Sequence, residues 1–208
     1  MPTPLEQLRS ERRRKLQVRE SFSRGLDHFR AAGGDATSFY LACADYLASG
    51  QRRLIDQDRR LVDTLAPRVP AVQQDDHRAM GALRERLDLA HRSLTDFEAA
   101  VEELRRRGGA GHSAFEAASA RFLDVLVNVL GARSHSLRHL TTTLLGEDDW
   151  RRIADVTPAF LEAEAKSFGS ISKLAPPGLE PEQMSTGEQP GGGAQERTRT
   201  SKDRSTGT

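Results

Sequence analysis

Cysteine is almost missing from this chain. Cys43 stands alone among 208 residues, which excludes an internal disulfide and any zinc or iron–sulfur centre built from several thiolates. Aromatic residues reach only 5 %, too few for a β-sandwich interior or a stacking platform for single-stranded nucleic acid. An excess of one charge is also lacking: 31 Lys+Arg against 30 Asp+Glu leave a formal charge of +1, so the strongly basic balance of a protein held by non-specific nucleic-acid affinity is absent. No apolar run approaches the roughly 18 residues of a membrane span; residues 122–130 come nearest and contain Asp124 and Asn128. The opening MPTPLEQLRSERRRK has no apolar centre of the kind a secretion signal needs, so a cytoplasmic location is expected. Nothing alternates at period two long enough to make a strand.

Helical patterning fills what is left. Residues 5–30 carry Leu5, Leu8, Leu16, Val18, Phe22, Leu26 and Phe29 among charges, with Gly33 and Gly34 as a stop and Asp35, Thr37 or Ser38 as caps for a second helix over 38–66. The inward row of that second helix runs through Tyr40, Cys43, Leu47, Gly50, Leu54, Leu61 and Leu65, and is interrupted by the polar pair Gln57 and Asp58. Pro67 and Pro70 break the chain, and Pro70 suits the first turn of a third helix over 70–107. There Met80, Leu83, Leu87, Ala90, Leu94, Phe97, Val101 and Leu104 recur at alternating steps of three and four, a heptad seam. Ser113 and Glu116 read as a capping box for a fourth, strongly apolar helix over 113–145, stopped by Gly146. Trp150, Ile153, Phe160, Leu161 and Phe168 mark a shorter closing segment, interrupted at Thr157-Pro158.

The expected fold class is therefore all-α: an up-and-down four-helix bundle with a short extra C-terminal helix and a disordered tail. The divisions are an N-terminal helix with a basic cluster over 1–34, which can also supply the bundle's first helix, a bundle body over 35–172, and a tail over 173–208 too poor in apolar residues to fold. The cluster of Arg9, Arg12, Arg13, Arg14, Lys15 and Arg19, with Glu11 as its only acid, reads as an exposed helix face rather than a grip on nucleic acid or an anionic membrane.

Catalytic patterns are thin. Gly108 to Gly111 lacks the Lys-Ser/Thr pair and the preceding strand of a phosphate loop, and Cys43 sits on a core seam with no base placed beside it. His135 and His139, one turn apart, share a face with Asp124, Asn128 and Gly131. His77 lies three residues before Met80 and is placed to point inward, whereas Asp88-x-x-His91 is a single copy of a motif that carboxylate-bridged iron sites use in pairs.

The stretch from Phe39 to Leu87, with its helix, proline-marked connection and Asp-His opening a heptad helix, resembles hemerythrin-like (HHE cation-binding) domains. So does the stretch from Leu123 to Ile153, ending LLGEDDWRRI. The resemblance implies a four-helix bundle holding an oxygen-bridged iron pair on histidines and carboxylates. Mapped onto this chain it supplies His28 and His77, but puts Arg53 and Gln57 (or Leu54 and Asp58) on the second-helix pair, Gly81 opposite His77, and Val129 and Ser134 on the fourth helix. The expectation is a non-catalytic binding or regulatory module without cofactor, in which Arg53, Gln57, Asp124 and Asn128 form an interior polar network and Arg53 pairs with Asp58 or Asp124. Its partner is expected to be another protein or a second copy. The alternative is an iron-binding or oxygen-responsive protein using His28, His77, His135 and His139 with Asp58.

Overall fold

The computed structural model describes residues 3–131 and 137–184, and among these the secondary structure is helical with no strand. Helix α1 (Pro4–Ala32) opens on a reciprocal cap: the Thr3 hydroxyl accepts from the Glu6 amide at 3.2 Å and the Glu6 carboxylate accepts from the Thr3 amide at 2.7 Å. Gly33, at φ 71°, ends it in a conformation that side chains beyond glycine resist. Helix α2 (Thr37–Leu65) begins where Asp35 accepts from the Thr37 amide at 2.9 Å.

The long third helix, α3, spans Gln74–Arg107. It starts four residues later than the proline pattern suggests, because residues 70–73 close a turn in which the Gln73 amide donates to the Pro70 carbonyl at 2.9 Å. Its seam is buried at Met80, Leu87, Ala90, Leu94, Phe97, Val101 and Leu104, with Leu83 half-buried. Asp75 and Asp76 in the first turn and Arg105, Arg106 and Arg107 in the last complement the helix dipole.

Two expectations fail at the next element. Helix α4 (His112–Val125) comes after a tight 3-10 turn over Gly108–Gly111 and takes no side-chain cap, so Ser113 does not cap it. Glu116 instead accepts from the Tyr40 hydroxyl at 2.9 Å. Nor does the fourth helix run unbroken to 145. It widens into a π turn over Leu126–Gly131, and helix α5 is the short segment Arg138–Leu144. Helices α6 (Glu147–Ala154) and α7 (Pro158–Leu174) complete the order, with the Thr157 hydroxyl capping α7 at Phe160.

Ion pairs give the direction of the packing. Arg59–Asp88 and Arg105–Asp45 set α2 antiparallel to α3, while Arg12–Asp58 and the bond from Lys15 to the Gly50 carbonyl set α1 antiparallel to α2. Val18, Phe22 and Leu26 of α1 share one core with α2, α3 and α4, in which Phe97 stacks on Phe122 at 4.2 Å between ring centres. A second cluster joins Val62, Leu65, Val69 and Met80 to Leu137 and Leu140.

The expected tail from 173 is corrected in its first part: Lys173 and Leu174 end α7, Pro181 and Met184 are buried, and the Ser21 hydroxyl donates to the Leu179 carbonyl at 2.5 Å. The buried hydroxyl and the apolar side of α1 supply what that stretch lacks by itself. Its remainder, 185–208, lies outside the described residues. Among the described residues no helix is long and apolar enough to cross a membrane.

The packing offers two tests. A Cβ on Gly25 would stand 2.3 Å from Cε1 of Phe39, a ring only 2 % exposed. Gly25→Ala is expected to lower stability by about 1–3 kcal/mol in urea unfolding, overriding the ~0.5–1 kcal/mol that alanine gains within a helix. Asp149 accepts from both Arg68 amino groups at 2.7 Å and from the Gly146 amide at 3.1 Å. The Arg68 guanidinium, the Gly146 amide and Arg152 hold its carboxyl far below the usual aspartate range. A depressed folded-state value contributes stability above the ordinary carboxylate pKa that is lost as pH falls below it. Thermal melts between neutral pH and pH ~3 should therefore drop less steeply for Asp149→Asn than for the wild type.

Candidate functional site

A buried carboxylate organises the interface of α1, α2 and the α6–α7 corner. Glu11 is 2 % exposed, although it lies within the most basic stretch of the sequence. The Lys15 ammonium meets its Oε1 at 3.0 Å and the Arg53 Nε meets the same oxygen at 3.1 Å, while Gln57 Nε2 reaches Oε2 at 3.4 Å. Each partner is tied down in turn. Lys15 donates to the Gly50 carbonyl at 2.6 Å, Gln57 donates to the Ala154 carbonyl at 3.1 Å, and Arg53 donates to the Ala154 carbonyl and, at 2.8 Å, to the Asp155 carbonyl. The Arg53 guanidinium also lies 4.0 Å over the Phe160 ring.

Local sequence explains why this corner holds. Asp155 takes a left-handed conformation (φ 47°) at the end of α6, turning its carbonyl and that of Ala154 toward Arg53. Burial by itself would raise the Glu11 carboxyl, but the Lys15 ammonium, with Arg53 and Gln57 behind it, outweighs this and brings it below the usual range. Burial pulls the Lys15 ammonium down, only partly offset by Glu11. A neighbouring arrangement has Tyr46 donating to Glu164 at 2.6 Å with Arg14 on the same carboxylate at 2.7 Å, so burial and that carboxylate keep the phenol far above its ordinary range.

Arg53 and Gln57 thus meet in the interior, but their carboxylate is Glu11, not Asp58 or Asp124. Asp58 is half-buried and pairs with Arg12 at 3.1 Å; burial raises its carboxyl, with Arg12 and Lys15 opposing. Asp124 and Asn128 are corrected as interior groups: both are exposed and bonded to each other at 2.5 Å. Asp124 lies two residues after the buried Phe122, about 200° round the helix.

The histidines do not converge. His28 is exposed, its ring edge-on to Phe29, and lies more than four turns of α1, roughly 24 Å, beyond the Arg12 that holds Asp58. His77 is exposed rather than interior, because α3 begins only three residues earlier and its first turn projects past the core. His139 is exposed and contacts Asp76 at 3.0 Å. His135 lies outside the described residues. Among the described residues no group of three or more His, Cys, Asp or Glu side chains is placed to hold a metal ion. An oxygen-bridged iron pair does not fit the donors at the mapped positions: Arg53 is a cation, Gln57 a neutral amide bonded elsewhere, and Gly81 has no side chain.

Two clefts flank the network. A cleft of about 290 Å³ between α1, α2 and α7 is lined by Glu11, Lys15, Tyr46, Ser49, Phe160 and Glu164 among others. A second, of about 220 Å³, opens where α1, α2, α3, α5 and α6 meet, with Gln57 and Asp58 in its wall. Glu11, the centre of this network, is marked in the sequence only as the one acid inside a run of cations. No family model matches the chain, and no curated protein or solved structure matches it.

Glu11→Gln leaves two cations around a neutral amide and is expected to cost about 3 kcal/mol by chemical denaturation. Adding Lys15→Met should recover part of that loss. Equal stability of the single variant and the wild type would show that the carboxylate does not hold this corner together.

Proposed function

We propose that the chain is a non-catalytic binding or regulatory module on a hemerythrin-like, up-and-down four-helix frame, with the positions that would carry metal donors given over to an internal ion network. The observation that carries this reading is Arg53, which sits where the resemblance calls for a donor and spends its charge on Glu11 and on the carbonyls of Ala154 and Asp155. A guanidinium fixed there repels a cation, and the carboxylate it faces is already neutralised by Lys15. The polar interior then serves to lock α1 and α2 to the α6–α7 corner, leaving the long charged faces of α2 and α3 to a protein partner or a second copy.

Protein purified without chelator is expected to contain iron well below one atom per chain by elemental analysis, with no visible absorbance. A tightly held pair of iron atoms would overturn the proposal in favour of an oxygen-responsive metal protein.

A further inference from the structure

The second cleft has a composition unlike the rest of the surface. Arg9 and Arg12 of α1, Arg86 of α3 and Arg138 of α5 converge on it, and Asp58 is the only carboxylate in its lining. Arg12 is paired with Asp58, whereas Arg9, Arg86 and Arg138 form no ion pair among the described residues. Guanidinium forks brought together from separate helices match the oxygens of phosphate or carboxylate. Apart from Gln57 and Thr141 the remaining wall is apolar, including Leu8, Leu137, Ile153 and Trp150.

A buried amide stands behind part of this wall. Gln57 is 2 % exposed, and its Oε1 has no partner. The amide cannot be reversed to relieve this, because Nε2 faces two acceptors, the Ala154 carbonyl at 3.1 Å and the Glu11 carboxylate at 3.4 Å. Oxygen in that position would oppose oxygen. The amide Oε1 is closed off, so Gln57 braces the wall of the cleft and offers a ligand no acceptor. The volume of about 220 Å³ has room for roughly seven water-sized groups, enough for an oxyanion and part of an attached body.

We infer that this cleft binds a small phosphomonoester with an apolar body, its phosphate among Arg9, Arg86 and Arg138 and its apolar part against Trp150 and the leucines. A phosphomonoester fits better than a simple carboxylate because it offers three terminal oxygens and up to two negative charges to three guanidinium forks. Ligand capture here is separate from the partner-binding role, since neither metal content nor self-association depends on it.

Trp150 is the chain's single tryptophan, so its fluorescence reports on this cleft alone. Phenyl phosphate is expected to change that fluorescence saturably and to bind more tightly than inorganic phosphate. Arg9→Gln with Arg138→Gln, both at exposed positions, should weaken binding by about tenfold or more, while Arg92→Gln, on the exposed side of α3, leaves it unchanged. Asp58→Asn should tighten binding severalfold by removing the one opposing charge and releasing Arg12, a gain that general loss of structure would not produce. Vesicles containing phosphatidic acid supply the lipid form of the same headgroup: if they alone produce the change, the soluble-ligand assignment is overturned. It is likewise overturned if inorganic phosphate binds as tightly as phenyl phosphate, or if the double variant binds like the wild type.

Discussion

One buried carboxylate sets the terms for the rest of the molecule. Glu11 lies at the meeting of α1 and α2, and its charge is tolerable there only because Lys15, Arg53 and Gln57 supply donors from two helices. Those donors are in turn spent on backbone carbonyls: Gly50 within α2, Ala154 and Asp155 at the end of α6. Through this relay a single acidic group ties the first helix to the sixth. The left-handed Asp155 and its pair with Arg60 at 2.9 Å add further polar bonds at the α6–α7 turn, beside the buried Ile153 and Ala154.

The apolar framework and the polar one occupy different lengths of α2. Toward the α2 N-terminus the core is aromatic, with Phe22, Tyr40, Phe97, Phe115 and Phe122 packed ring on ring. Toward the α2 C-terminus Phe side chains give way to Gln57, Asp58 and Arg53, and the covering is made of short helices, α5 and α6. The break after Val125 matters here. A straight fourth helix would continue to present the Phe115–Phe122 face along α3, whereas the π turn shifts the angular register of the chain beyond it. Leu137 and Leu140 then pack with Met80, Val62 and Leu65 as a separate cluster, and the arginine-lined cleft opens beside it with Leu137 in its wall.

Periodicity marked the elements well wherever a helix buries a continuous stripe. The α3 seam is the clearest instance, because steps of three and four over eight positions leave no other structure available. It served poorly at ends and joints. The start of α3 depended on a turn closed by the Pro70 carbonyl, and the supposed Ser113 cap lost its glutamate to Tyr40, a residue far away in sequence. The stretch 175–184 looked unable to fold because its own apolar content is low, yet α1 provides the surface that buries Pro181 and Met184.

The amino-acid order by itself determined that the described chain is helical, where its longest helices lie, and that Gln57 and Asp58 interrupt an apolar row, since these depend on spacing within one helix. Tertiary structure alone decided which charges meet across helices. Glu11 finds Arg53 across α1 and α2, Arg9 and Arg12 find Arg86 and Arg138 across three helices, and His28 and His77 are carried to places where no shared ligand is possible. Residues from different helices come together according to helix direction, axial offset and the irregular turn after Val125, and none of those quantities is written in the local pattern of any one segment.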